Sequence, residues 1–74
     1  MNNFLKLIMI NISNSTNHDD YEILIRKRGD NVYASYCPQL NHMIKGDEHE
    51  QVRNLMKEYI EHHINEISKQ ILSN

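Results

Sequence analysis

The sequence predicts an α+β domain: a three- or four-stranded, mainly antiparallel sheet with one long amphipathic helix packed on one face. Two observations predict this fold class. Apolar and polar side chains alternate within residues 21–46, and turn-forming segments at 28–31 and 39–41 interrupt the alternation. From residue 47 to 72, apolar side chains recur at intervals of three and four, the spacing of one face of an α-helix.

Length and composition limit the possible architectures. The 74 residues allow a single domain, residues 1–74. A domain of this size buries only roughly 60% of the surface that its unfolded chain exposes, so we expect self-association as a homodimer or higher oligomer. Cys37 is the only cysteine, which excludes an intramolecular disulfide and favours a cytoplasmic location. The net charge of −2 argues against binding to nucleic acid.

The strands follow from local patterns. Residues 4–12 are rich in leucine and isoleucine and predict an extra N-terminal strand; they are too short for a membrane span. Residues 21–46 predict a three-stranded sheet, with strands at 21–27, 32–37 and 42–45. In the middle strand, the small Ala34 would let a helix pack closely above its face.

The helix is predicted over residues 47–72. Gly46 suits a backbone angle that other residues resist, and Asp47 suits the N-cap, with Glu50 completing a capping box. A helix of about 25 residues is about 37 Å long, whereas a six-residue strand spans only about 20 Å. The end of the helix should therefore extend past the sheet and pack on a second copy of the chain. The residues expected at this oligomer interface are His63, Ile64, Ile67, Ile71 and Leu72.

The order of hairpin, proline turn, short strand, Gly-Asp and amphipathic helix resembles the HicB-like antitoxin family. The matching residues are Tyr33-Ala34-Ser35-Tyr36-Cys37-Pro38-Gln39-Leu40, then Gly46-Asp47, then Val52, Leu55 and Ile60. The resemblance implies a partial ribonuclease H-like fold and a bacterial protein that sequesters a small basic, mRNA-cleaving toxin without chemistry of its own. The sequence departs from the family pattern at residues 41–43, which replace a usual Pro-Gly-Cys, and at Glu48, where the family has Thr.

The family usually has a further strand and a DNA-binding segment after the helix. Neither has a counterpart before Asn74, so we expect no DNA binding and expect residues 4–12 to take the sheet edge of that strand. The expected partner-binding residues are Arg26, Arg28, Tyr33, Glu58 and Glu61. The alternative is an orphan HicB-like scaffold or regulatory module that binds a different protein, also without DNA binding.

An enzyme or a metal protein is the remaining alternative. The strands offer Glu22 as their outward carboxylate, fewer than a two-metal nuclease needs. His62 and His63 are adjacent on a helix and point about 100° apart, so they cannot easily share one ion. Cys37 precedes a proline in a strand and is better explained as a buried side chain than as a nucleophile. We therefore expect a non-enzyme with no catalytic, cofactor-binding or metal-binding residues.

Overall fold

The structure, a computed structural model, describes residues 13–73, with side chains described as far as Gln70. A short 3-10 turn at His18–Asp20 precedes the strands β1 (Leu24–Gly29), β2 (Val32–Cys37) and β3 (His42–Gly46). A single long helix, α1 (His49–Ser73), follows them. The strands form one antiparallel sheet with α1 packed on it, which confirms the α+β fold class. The predicted strand at residues 4–12 lies outside the described residues.

The central strand β2 pairs with both of its neighbours. In this register Ser35 stands opposite Ile25 of β1 and opposite Ile44 of β3. The first strand begins at Leu24, three residues later than the alternation predicts. The backbone of residues 21–23 is not part of the sheet ladder. The Glu22 N–H donates instead to the side chain of Gln39, at Oε1, over 2.9 Å.

Two asparagines allow the sharp turns between strands. Asn31 and Asn41 have φ angles of 55° and 51°, in the left-handed region that asparagine enters more readily than most residues. In the second turn, the Asn41 N–H donates to the Pro38 carbonyl, and the Tyr36 hydroxyl hydrogen-bonds to Asn41 Oδ1 over 3.0 Å. These contacts fix how β2 passes into β3.

The helix packs on the face of β2 opposite to the one predicted. The fully buried Ser35 donates its hydroxyl proton to the Val52 carbonyl of α1 over 2.8 Å. Because side chains alternate along a strand, Ala34 lies on the other face, between Arg26 and Lys45 of the adjoining strands. The prediction that Ala34 packs under α1 is therefore wrong. Ser35 is the small residue that admits the helix backbone.

The core lies where α1 crosses the end of the sheet nearest to the Pro38 turn. It contains two groups of buried side chains, one from the sheet and its connections and one from α1. These are Tyr21, Cys37 and Leu40, and Met56, Ile60 and Ile64. Ile64 is the last helix residue in this cluster, so nine further residues of α1 extend beyond it.

The start of the helix differs from the predicted cap. The helix begins at His49, and the Asp47 N–H donates to the side chain of Gln51 over 2.7 Å, so Gln51 supplies the cap contact. The φ angle of Gly46 is not positive, so the prediction of an unusual backbone angle there is wrong. Glycine is required for space: a Cβ at this position would overlap Gln51 Oε1 and would lie 2.9 Å from Val52 Cγ1.

Candidate functional site

A groove runs between β1 and α1. The helix lies mainly over β2 and β3 and makes fewer contacts with β1. The space left beside β1 has a volume of about 970 Å³. Ile23 and Ile25, both half-buried, and the buried Ile60 give this groove an apolar floor.

One wall of the groove, formed by α1, carries two basic side chains and one acidic side chain. His49, Arg53, Lys57 and Glu61 follow one another at intervals of four residues, so they lie along one flank of α1. Within residues 13–70, no carboxylate forms an ion pair with Arg53 or Lys57. His18 and Asp19 of the 3-10 turn line the groove from the other side. Two exposed cations, Arg53 and Lys57, and two exposed carboxylates, Asp19 and Glu61, therefore stand beside an apolar floor.

The sheet edge along this groove is free in the described part of the chain. β1 pairs with β2 on one side, and among residues 13–73 no strand pairs with its other side. An unpaired edge presents a row of backbone N–H and C=O groups that can pair with another extended segment. The groove thus combines backbone donors and acceptors with apolar side chains and with charged side chains of both signs.

The five predicted partner-binding residues fall on four different surfaces. Arg26 and Arg28 are exposed on β1. Glu61 is exposed and lines the groove, whereas Glu58 points away from the sheet, about 200° around the helix axis from Met56. Tyr33 is half-buried on the helix side of the sheet, with its ring centroid 6.1 Å from that of His49 in an edge-to-face contact.

The predicted oligomer-interface residues differ in how much of them is exposed. His63 is half-buried, with Nε2 2.9 Å from the Ser13 carbonyl oxygen and its ring edge-on to Tyr21. Ile64 is only 6% exposed because it belongs to the core of its own chain. Ile67 is half-buried. The side chains of Ile71 and Leu72 lie outside the described residues.

The open face of the sheet carries an apolar row that the sequence pattern did not single out. Leu24, Tyr36 and Met43 stand side by side on the three strands. Leu24 is 53% exposed and Met43 is 47% exposed. The row ends at β1, on the same edge that borders the groove. A strand added to β1 could therefore extend the row with its own apolar side chains.

Arg53 and Lys57 were also missed as site residues. Their spacing of four along an amphipathic helix places them on one flank, and this much is visible in the sequence. The sequence does not show which strand faces that flank. That depends on the sideways position of α1 over the sheet.

The remaining chemistry-bearing side chains of the described residues do not converge. Cys37 is fully buried, with Sγ 3.6 Å from Gln39 Oε1. Among the described residues, no three histidine, cysteine or carboxylate side chains are grouped as a metal site would require. No helix in the same part of the chain is long and apolar enough to cross a membrane.

Comparisons with protein-family models, curated proteins and solved structures found no match for this chain.

Proposed function

We propose that this chain is a non-catalytic protein-binding domain of the HicB-like antitoxin type. It sequesters a small, basic, mRNA-cleaving ribonuclease in the cytoplasm by covering the RNA site of that enzyme. The three-stranded antiparallel sheet with one long helix supports this proposal, since the resemblance in residues 21–64 implies such an arrangement.

The observation that carries the proposal is a pair of exposed carboxylates on α1. The helix, residues 49–73, contains four acidic and three basic side chains, a net charge of −1, and Asp47 and Glu48 directly precede it. Glu58 and Glu61 are exposed and form no ion pair within residues 13–70. An enzyme that binds RNA needs a basic surface, and unpaired carboxylates on a rigid helix complement such a surface.

A domain of this kind inhibits by occlusion. The helix presents its carboxylates at fixed positions, so the toxin's cations meet these groups instead of phosphates. Complementary charge of this type speeds association and selects the partner more than it sets the final affinity. A homodimer formed through the extended end of α1 would present two such faces to two toxins.

The proposal predicts that a small basic ribonuclease is encoded beside this chain, and co-expression of the two proteins tests it. We expect the ribonuclease alone to cleave mRNA and arrest growth, and co-expression to restore growth. Glu58→Lys should weaken the complex several-fold. The matched control is Glu66→Lys, which changes the charge equally at a carboxylate already within 3.8 Å of Lys69 on the other flank of α1. Equal effects of the two variants, or no rescue of growth, would overturn the proposal.

A second candidate, a scaffold that binds a different protein, is favoured by the groove beside β1. Its wall carries Arg53 and Lys57, which suit an acidic partner and would repel a basic ribonuclease. Purification of the intact chain with its bound partner, followed by mass spectrometry, separates the candidates. A small basic ribonuclease supports the antitoxin function, and an acidic protein of another class supports the scaffold.

A further inference from the structure

We propose that the groove between β1 and α1 binds an extended acidic segment of a partner protein, which pairs with the free edge of β1 as a fourth strand. This inference goes beyond the antitoxin function, because it uses the groove and an acidic ligand, and it gives the second candidate function, the scaffold, a binding site and a class of ligand. It depends on three features of the described residues: an unpaired strand edge, an apolar floor and two unpaired cations.

The backbone supplies the first part of the binding energy. β1 is six residues long and pairs only with β2 among residues 13–73. An added strand would form alternate main-chain hydrogen bonds with it, as in other cases of peptide binding by strand addition. The helix leaves space for that strand because it lies mainly over β2 and β3.

The side chains determine the chemistry of the segment. Alternate residues of the added strand face α1, about 7 Å apart, while Arg53 and Lys57 are separated by about 6 Å along the helix. Glutamates at these positions would lay their methylene groups on Ile23 and Ile25 and bring their carboxylates to the two cations. Residues on the other face would lie beside Leu24 and extend the apolar row. The preferred segment alternates glutamate with an apolar residue.

The charges argue against two other occupants. Residues 4–12 of this chain contain Lys6 and no carboxylate, so they would leave Arg53 and Lys57 unpaired. Residues 26–28 of this chain are Arg-Lys-Arg. A second copy that paired through β1 would bring its own residues 26–28 close to these three cations. Like charges facing each other across paired strands are destabilising. A separate acidic segment satisfies the edge and meets five cations, two on α1 and three at residues 26–28 of β1, against the two carboxylates Asp19 and Glu61 of the groove.

Peptide binding to the full-length chain tests the proposal. The probe is a fluorescein-labelled peptide of about eight residues, a common strand length, in which glutamate alternates with valine. The control peptide replaces each glutamate by lysine. We expect the acidic peptide to raise the fluorescence anisotropy and the lysine peptide to give no change. Added salt should weaken the binding, because the ion pairs lie at the surface.

Protein variants and modified peptides localise the contact. Arg53→Glu with Lys57→Glu should weaken binding by roughly tenfold or more. Lys45→Glu is the control, since Lys45 lies on the open sheet face away from the groove. Circular dichroism confirms that each variant is folded. Two further peptides, one N-methylated at the odd-numbered amides and one at the even-numbered amides, test strand pairing, because only one of these sets faces β1. Methylation of the set that faces β1 should abolish binding, and methylation of the other set should leave it intact.

Each contrary result has a definite meaning. Equal binding of both peptides, no effect of the double variant, or equal loss from both N-methylated peptides would overturn the proposal. Nuclear Overhauser contacts between residues 4–12 and β1 in the isolated chain would assign the groove to this chain's own N-terminal segment. Inter-copy contacts across β1 would assign it to a second copy. Loss of peptide binding with intact toxin binding rejects only the groove, so the two proposals fail separately.

Discussion

Replacement of Gly46 by alanine should destabilise the fold although the backbone there is ordinary. The added methyl group overlaps Gln51 Oε1 and lies 2.9 Å from Cγ1 of the buried Val52. Displacing Gln51 removes the 2.7 Å hydrogen bond from the Asp47 N–H, a loss of about 1 kcal/mol. Crowding Val52 costs about 1–3 kcal/mol more. The lower entropy of the unfolded alanine chain offsets about 0.4–1 kcal/mol.

The net loss for Gly46→Ala is therefore about 2 kcal/mol. In a domain of this size, a loss of that amount lowers the melting temperature by roughly 8–16 °C. Urea unfolding followed by circular dichroism measures the free energy directly. Gly29→Ala is the matched control, because the nearest atoms to its added methyl group lie at 3.8 Å and its φ angle is also not positive. That variant should keep its stability or gain up to about 1 kcal/mol.

A double-mutant cycle tests the cause. Gln51→Ala alone should cost about 1 kcal/mol, since it removes the same cap contact. In that background, Gly46→Ala can no longer displace the cap, so the double variant should be about 1 kcal/mol more stable than the sum of the two single losses predicts. Additivity within about 0.5 kcal/mol would refute the contact between Gly46 and Gln51 as the reason for glycine.

Three further substitutions test the packing of the core. Ser35→Ala should lower the free energy of unfolding by about 1 kcal/mol, measured in urea, because it removes the buried hydrogen bond to Val52. Met56→Ala should cost about 2–5 kcal/mol in the same assay because Met56 is fully buried; a cost below about 1 kcal/mol would contradict its central position. Tyr21→Phe removes a 2.6 Å hydrogen bond to the Ser15 carbonyl and should cost about 0.5–1.5 kcal/mol, with faster amide exchange in residues 13–20 as a second measure.

Periodicity was sufficient for the fold class but not for the choice of sheet face. The alternation in 32–37 separates Ala34 from Ser35 without showing which of them the helix covers. Alanine was the natural choice, since a small apolar side chain costs nothing to bury. The hydroxyl of Ser35 reverses that choice because it binds the Val52 carbonyl inside the core. The sequence shows that Ala34 and Ser35 are both small enough to lie under a helix. It does not show the hydrogen bond that decides between them.

The groove could not be predicted, because it depends on where the helix lies across the sheet. Hydrophobic periodicity fixes the face of α1 that is buried and leaves its sideways position open. The close approach of α1 to Gly46 and the stacked rings of His42 and Tyr59, 3.8 Å apart, hold it on the β3 side. Arg53 and Lys57 consequently border an open space beside β1, although the same spacing is equally typical of a solvated helix face.

Glu61 connects the two proposed surfaces. Glu61 lies one turn after Lys57 along the groove and one turn after Glu58 on the outer side of α1. It would therefore repel an acidic strand in the groove and attract a basic partner outside the groove. A basic partner that neutralises Glu61 should therefore raise the affinity of the groove for the acidic strand. Thermodynamic linkage requires the strand to raise the affinity for the basic partner by the same factor. Glu61→Gln should remove this coupling. Glu58→Gln, a change outside the groove, should weaken binding of the basic partner and leave the coupling in place.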